Sequence, residues 1–170
     1  MTDPLNNPAG PAMLIGSGLK WDDLSKPQVG IASFGFERNT CNMHLNDLAD
    51  IVAESVRDAG LVNARFYESG VSDGIANGTD GMRASLGSRE TLADAIEGHM
   101  MAEHYDSLIG IPGCDKLYPA FVMALARLNR PGYMINGGTI APGNLDGEAL
   151  TIISAIQART AHRDGRISDE

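Results

Sequence analysis

Short apolar runs alternate along the chain with longer segments whose apolar residues recur every three or four positions. The run from Val29 to Phe36 contains β-branched residues and is bounded by glycine, which is typical of a buried strand. Residues 45–59 carry apolar side chains at helical spacing, and Gly60 is a natural C-cap for this predicted helix. The alternation continues with predicted strands over residues 61–67, 107–111 and 132–136 and with predicted helices over residues 88–104, from Pro119 onwards and over residues 149–161.

This order of elements predicts the α/β class, with a three-layer α/β/α arrangement around a mainly parallel sheet. Residues 28–170 are assigned to that one domain. Residues 1–27 are rich in proline, glycine and asparagine and predict an irregular N-terminal arm, and residues 69–83 predict a long glycine-rich loop. The helix after Pro119 is expected to bury one face made of Phe121, Val122, Leu125 and Leu128.

Composition narrows the classes of partner. The 170 residues are 43% hydrophobic and 21% charged, which excludes a disordered tail. The net charge of −9 argues against nucleic acids and anionic membranes as partners. We expect a cytoplasmic protein, because the chain has no apolar run of membrane-spanning length and no signal or transit pattern at its N-terminus. Two cysteines make no disulfide framework in a domain of this size.

Four unusual loops follow predicted strands, and in open α/β sheets ligands bind outside the carboxyl ends of the strands. These loops span residues 38–44, 72–74, 112–116 and 137–139. They are expected to place both cysteines, Cys41 and Cys114, on one rim together with Lys116. The glycines near residue 74 lack the G-x-G-x-x-G spacing, and no phosphate-binding P-loop motif occurs in the chain.

Each of these residues has an ordinary structural interpretation when it is taken singly. A free cysteine is typically a small buried hydrophobe, Asp73 after a strand is typical of a turn or helix cap, and His44 is typical of a cap or hydrogen-bonding residue. The combination also fits a metal site, because thiolates suit iron–sulfur clusters and carboxylates suit Mg²⁺. In Cys114-Asp115 both kinds of donor are adjacent. The residue types alone leave both interpretations open.

Long ordered motifs add a family resemblance. The segments TCNMHLNDLA (40–49), VSDGIANGTDGMRASLGSRETLADAIE (71–97), IGIPGCDK (109–116), ALARLNRP (124–131) and GGTIAPG (137–143) closely resemble the dihydroxy-acid/6-phosphogluconate dehydratase family. The resemblance covers roughly residues 28–168, which is nearly all of the chain outside the arm.

The resemblance implies cofactors that spacing does not show. Members hold an iron–sulfur cluster, [2Fe-2S] in dehydratases of this motif pattern, through three cysteines, of which the first two match Cys41 and Cys114. A divalent cation, Mg²⁺, is implied at Asp73 and Asp115. Lys116 is implied to be carbamylated and to ligate the cation, because a carbamate converts an ammonium side chain into an anionic oxygen donor.

The resemblance also implies what this chain lacks. The third cluster cysteine, a further Mg²⁺ glutamate and the catalytic serine base match no position here, so no catalytic residue is expected in these 170 residues. We expect the N-terminal portion of a longer enzyme, inactive alone and part of a homodimer when complete.

The implied reaction is the elimination of water from a 2,3-dihydroxy acid to give a 2-keto acid. The implied substrate is of the 2,3-dihydroxy-3-methylbutanoate type, from the biosynthesis of the branched-chain amino acids valine and isoleucine. Two alternatives remain open: a sugar-acid (aldonate) dehydratase of the same family, and a non-catalytic domain that binds a cation or a partner chain.

Overall fold

The computed structural model describes residues 6–168. The helices are α1 (Ala9–Gly16), α2 (Leu45–Asp58), α3 (Asp73–Ala76), α4 (Ser85–Ala102), α5 (Leu117–Leu128) and α6 (Ile152–Arg163). The strands are β1 (Gln28–Ser33), β2 (Val62–Tyr67), β3 (Ser107–Ile111), β4 (Gly132–Met134), β5 (Gly143–Leu145) and β6 (Glu148–Leu150). Short 3₁₀ helices occupy Trp21–Ser25 and Asp80–Ala84.

The first four strands form one parallel sheet in the order β2-β1-β3-β4. Val29 of β1 lies opposite Asn63 of β2 on one side and Ser107 of β3 on the other. Because all four strands run in the same direction, their carboxyl ends meet at one edge. The predicted parallel sheet is confirmed.

Helices cover both faces of this sheet. A Cβ on Gly30 would collide with the Met100 sulfur of α4, so α4 packs directly against the strand backbone there. Val29, the preceding residue, lines a groove with Val52 of α2. Successive strand residues point to opposite faces, so α2 and α4 lie on opposite sides of the sheet. The three-layer α/β/α prediction is confirmed.

The buried stripe of α5 differs from the predicted one. Val122 is 52% exposed, and the buried positions are Leu117, Ala120, Phe121 and Ala124. The stripe is centred on Phe121, whose ring fills the space that a side chain at Gly110 would take. Because that contact fixes the rotation of the helix, Val122 turns toward solvent.

The prediction of an irregular arm is wrong where the arm folds into α1 and the 3₁₀ helix of residues 21–25. Pro11 falls in the first turn of α1, where the missing N–H has no intrahelical acceptor in any case. The 3₁₀ helix is closed by Asp23, whose carboxylate accepts the Lys20 backbone N–H at 2.9 Å and the Lys26 ammonium at 2.7 Å.

The predicted loop of residues 69–83 contains α3 and the start of a 3₁₀ helix, and α4 begins at Ser85, earlier than predicted. Beyond the sheet, the antiparallel hairpin of β5 and β6 was not predicted. It turns at Asp146 and Gly147, whose φ angles of 52° and 88° suit the Asp-Gly hairpin turn. This hairpin delays the start of α6 to Ile152.

The chain divides into two compact units, one that ends at Gly138 and one that begins at Thr139. The parallel sheet belongs to the first unit, and the hairpin and α6 belong to the second. The predicted domain of residues 28–170 is therefore divided after Gly138. Within residues 6–168, no helix is long and apolar enough to cross a membrane.

Candidate metal centre

The carboxyl edge of the sheet gathers the loops that the sequence singled out. The loop after β1 carries Cys41, the loop after β2 leads to Asp73, and the loop after β3 carries Cys114, Asp115 and Lys116. The sheet order places these three strands side by side, so their loops are neighbours. The predicted rim is present in the structure.

Cys41 and Cys114 form the thiol half of the rim. Their thiols lie close enough for each to influence the other, with Cys114 buried and Cys41 partly buried. The turn before Cys41 is held by Asn39, which is 1% exposed. Its carbonyl oxygen accepts the Cys41 backbone N–H at 3.1 Å, and its amide nitrogen donates to the Gly70 carbonyl at 3.5 Å. One buried side chain therefore joins the loop after β1 to the loop after β2.

Two glycines allow this close approach. A Cβ on Gly113 would collide with the carbonyl oxygen of Cys41, and a Cβ on Gly137 would collide with Leu45 at the start of α2. At both positions a larger residue would push the rim loops apart. The glycine of the GCDK segment therefore has a packing reason that is independent of any ligand.

The Cys41 thiol is neutral near pH 7. Burial raises the pKa of Cys41 to about 11, and the neighbouring Cys114 thiol acts in the same direction. The positive charge of Lys116 opposes this increase without cancelling it. Metal binding by Cys41 must therefore displace its proton.

Asp73, Asp115 and Lys116 form the carboxylate half of the rim. The Lys116 side chain is only 2% exposed, and its ammonium lies 2.8 Å from Asp73 Oδ1. It also donates a hydrogen bond to the Val71 carbonyl. Asp115 is exposed, accepts the Lys116 backbone N–H at 2.8 Å and lies within hydrogen-bonding reach of the Asp73 carboxyl.

Asp73 is charged at neutral pH. Burial alone would raise its pKa, but hydrogen bonds from Lys116 and Ser85 and the positive charge of Lys116 outweigh burial and lower the pKa. The two halves are close enough for the charges of Lys116 and Asp115 to act on the pKa of Cys41.

The sequence analysis assigned no role to two residues of the rim. Ser85 is 1% exposed, and its hydroxyl donates a hydrogen bond to Asp73 Oδ1. Tyr118 donates its hydroxyl to Asn136 Oδ1 at 2.6 Å; burial, together with the charge of Cys114, raises the pKa of Tyr118. No local pattern marks either residue, because both partners come from other loops.

His44 is a hydrogen-bonding residue, as expected, but it makes no side-chain cap for α2. Its Nε2 lies 2.6 Å from the Gly137 carbonyl oxygen and so ties the loop after β1 to the loop after β4. In the same turn, the buried Asn42 donates to the Phe34 carbonyl at 2.7 Å. Asn42 Oδ1 has no hydrogen-bond partner within the described part of the chain and points at the Gly113 backbone. The thiol half thus contains an unsatisfied polar atom, which is rare in buried positions.

The donor chemistry fits two different groups in part. Two thiols suit a soft iron–sulfur cluster, and two carboxylates beside a lysine suit a hard cation such as Mg²⁺. Among residues 6–168, no group of three or more His, Cys, Asp or Glu side chains converges to hold a metal ion. The described rim therefore supplies part of each ligand set and completes neither.

The fold and the site define a class: an open parallel α/β domain whose carboxyl edge presents paired thiols beside a carboxylate–lysine cluster. Residues 26–170 match the family model described as dihydroxy-acid/6-phosphogluconate dehydratase N-terminal. The chain belongs to this family, and the resemblance found in its motifs is confirmed.

Curated relatives agree with this assignment. The chain is 50% identical over 170 residues to the dihydroxy-acid dehydratase of Francisella tularensis subsp. novicida. The alignment covers 100% of this chain and 30% of the relative. It is 51% identical over 170 residues to the chloroplastic dihydroxy-acid dehydratase of Arabidopsis thaliana, covering 100% of this chain and 28% of that protein. The relative from Flavobacterium psychrophilum is 53% identical over 158 residues, with 93% of this chain and 28% of the relative covered. The chain therefore spans about 30% of the length of the relatives it matches.

Proposed function

We propose that this chain is the cofactor-binding portion of a dehydratase that eliminates water from a 2,3-dihydroxy acid to give a 2-keto acid. The observation that carries the proposal is the thiol pair of Cys41 and Cys114 beside Asp73, Asp115 and Lys116 on one rim. The names of the relatives favour a dihydroxy acid over a sugar acid. We propose that this acid is of the 2,3-dihydroxy-3-methylbutanoate type, in branched-chain amino-acid biosynthesis, as the family resemblance implies.

Cys41 and Cys114 would hold a [2Fe-2S] cluster, which supplies a Lewis-acidic iron that makes the 3-hydroxyl a better leaving group. Asp73 and Asp115 would hold Mg²⁺, which would supply positive charge that makes the C2 proton of the bound acid more acidic. Each group needs ligands beyond those in residues 6–168, and the proton of C2 needs a base from outside this rim.

Lys116 is the residue whose state must change. Its ammonium would first lose one proton, and the neutral amine would then add CO₂ and release a second proton to form a carbamate, so that the side chain changes from a cation to an anion. The present ion pair with Asp73 would then become a repulsion between two anions in a buried position. A cation between them removes that repulsion, so carbamate formation and Mg²⁺ binding stabilise each other.

The test uses a fusion protein in which this chain replaces the matching segment of the Francisella novicida dehydratase. The purified fusion protein is assayed for iron, acid-labile sulfide and keto-acid formation from 2,3-dihydroxy-3-methylbutanoate and from an aldonate. We expect bound iron and sulfide and turnover of the dihydroxy acid. Cys41→Ser and Cys114→Ser should each lose iron and sulfide while the protein stays folded.

Three outcomes contradict the proposal in different ways. A folded fusion protein without iron or sulfide overturns the cluster assignment. Turnover of the aldonate alone favours the sugar-acid alternative. A fusion protein that loads its cofactors but turns over neither acid favours a domain that only binds.

A further inference from the structure

Ser85 is a buried hydroxyl at the first residue of α4, and its only described side-chain partner is a charged group. It is 1% exposed, and it donates its hydrogen bond to Asp73 Oδ1. Ser85 comes 12 residues after Asp73 in the chain, so the contact joins two separate elements, α3 and α4. Burying a hydroxyl is unfavourable unless the group is hydrogen-bonded, and the bond to Asp73 compensates that cost here.

The same carboxylate oxygen has a second donor. Lys116 Nζ lies 2.8 Å from Asp73 Oδ1, so a neutral hydroxyl and an ammonium both face that one oxygen. Rotation about the terminal torsion of an aspartate is soft, and the orientation of its carboxylate is set by the donors around it. In the described part of the chain, Ser85 and Lys116 are the side chains that face Asp73 Oδ1 and hold this orientation.

The two donors respond differently to a cation. A metal ion on Asp73 repels the ammonium of Lys116, and conversion of Lys116 to a carbamate replaces its positive charge with a negative one that repels the Asp73 carboxylate. The Ser85 hydroxyl is neutral, so its hydrogen bond is compatible with both events. Once a cation is bound, the Ser85 hydroxyl is the donor that maintains the orientation of the Asp73 carboxylate toward it.

We infer that Ser85 is a positioning residue that orients Asp73 for cation binding, an inference that rests on the proposed function of the rim. Hydrogen-bonded partners of metal ligands typically contribute about ten- to a hundredfold to metal affinity. We therefore expect Ser85→Ala to weaken cation binding by about tenfold or more, without removing a ligand.

The experiment is a titration of the fusion protein described above with Mn²⁺, a spectroscopic substitute for Mg²⁺, in which electron paramagnetic resonance measures free Mn²⁺. Ser85→Ala is compared with Ser88→Ala, a matched control in the same helix whose hydroxyl donates to the Ser85 carbonyl at 2.6 Å. Ser85→Thr keeps the hydroxyl and should keep the affinity. Ser85→Gly also removes the hydroxyl and serves as the second test if the alanine variant does not fold.

Each outcome has a distinct meaning. Weakened Mn²⁺ binding in Ser85→Ala and Ser85→Gly, with rescue by Ser85→Thr and none of this loss in Ser88→Ala, supports the inference. Equal affinity in wild type and Ser85→Ala overturns the inference and leaves the proposed metal site standing. Absence of Mn²⁺ binding to the fusion protein without substitutions overturns the inference together with the cation site on which it rests.

Discussion

The two halves of the rim are built by different means. The thiol half is held by backbone packing, with Gly113 directly against the Cys41 carbonyl and Gly137 directly against Leu45. The carboxylate half is held by polar contacts, in which Lys116 and Ser85 both face Asp73 Oδ1. The first half depends on close approach that only glycine permits, and the second depends on charge and hydrogen bonds.

The comparison shows that partners decide the direction of the pKa shift at this rim, because burial acts in the same direction on both acids. Burial raises the pKa of Cys41 and acts in the same direction on Asp73. Cys41 faces another acid, Cys114, and its pKa rises to about 11, whereas Asp73 faces Lys116 and Ser85 and its pKa falls. At neutral pH Cys41 must lose its proton to bind a metal, while Asp73 must release Lys116.

The largest expected effect distinguishes the positive charge of Lys116 from its ability to form a carbamate. Lys116→Arg preserves a cation beside Asp73, but a guanidinium does not carry the carbamate, so the fusion protein should lose activity by about a thousandfold or more. Keto-acid formation is the measurement, and Lys26→Arg, at an exposed ion pair with Asp23, is the control. Normal turnover of the Lys116→Arg protein would show that Lys116 is not a metal ligand.

The next effect tests the packing of the thiol half. Gly113→Ala should lower the free energy of unfolding by about 2–3 kcal/mol, because the new Cβ collides with the Cys41 carbonyl. Gly98→Ala in α4 is the matched control, since nothing lies within 4 Å of a Cβ there. The control should raise the free energy of unfolding by about 1 kcal/mol through better helix propensity. Urea unfolding measures both, and a loss of the same size in both variants would refute the packing argument.

Stability measured across a pH series should respond to the thiol half at alkaline pH and to the carboxylate half at acid pH. The protonated Cys41 thiol contributes stability that is full below pH 9.0, the ordinary pKa, and is lost as pH rises to about 11. The Asp73 carboxylate contributes stability that is present above pH 3.8 and is lost as pH falls through its lowered pKa.

Urea unfolding at each pH checks this assignment. Cys41→Ala should reduce the alkaline loss of stability and leave the acid loss unchanged, and Asp73→Asn should do the reverse. If either variant altered both limbs equally, the two halves would not be separate electrostatic units.

The smallest expected effect lies on a face of the sheet, away from both halves. Val52, Ile109 and Ile135 line an open apolar groove beside Tyr133, which is 69% exposed. We expect weak, concentration-dependent self-association through such a surface despite the net charge of −9. Light scattering should show it, and Tyr133→Ser should reduce it while both pH limbs stay as they are. A monodisperse monomer at high concentration would contradict this prediction.

Periodicity predicted the sheet and its loops because each strand and helix carries its own local pattern. The contacts that build the rim have no such pattern. Lys116 meets the Val71 carbonyl 45 residues away in the chain, and Ser85 meets Asp73 only because α4 packs where it does. The exposure of Val122 was missed for the same reason, since Phe121 over Gly110 sets the rotation of α5. Turn chemistry at Asp146 and Gly147 was available in the sequence and predicts the hairpin when it is applied.

The strand order β2-β1-β3 has a consequence for the order of events during synthesis and folding. Cys41 is synthesised well before Cys114, and the two thiols meet only after β3 has paired with β1. Long-range parallel pairing is a slow step in folding because a long loop must close first. During that interval Cys41 is a single unpaired thiol on a nascent chain. Any inorganic group that needs both thiols therefore finds its site only after β3 has paired with β1.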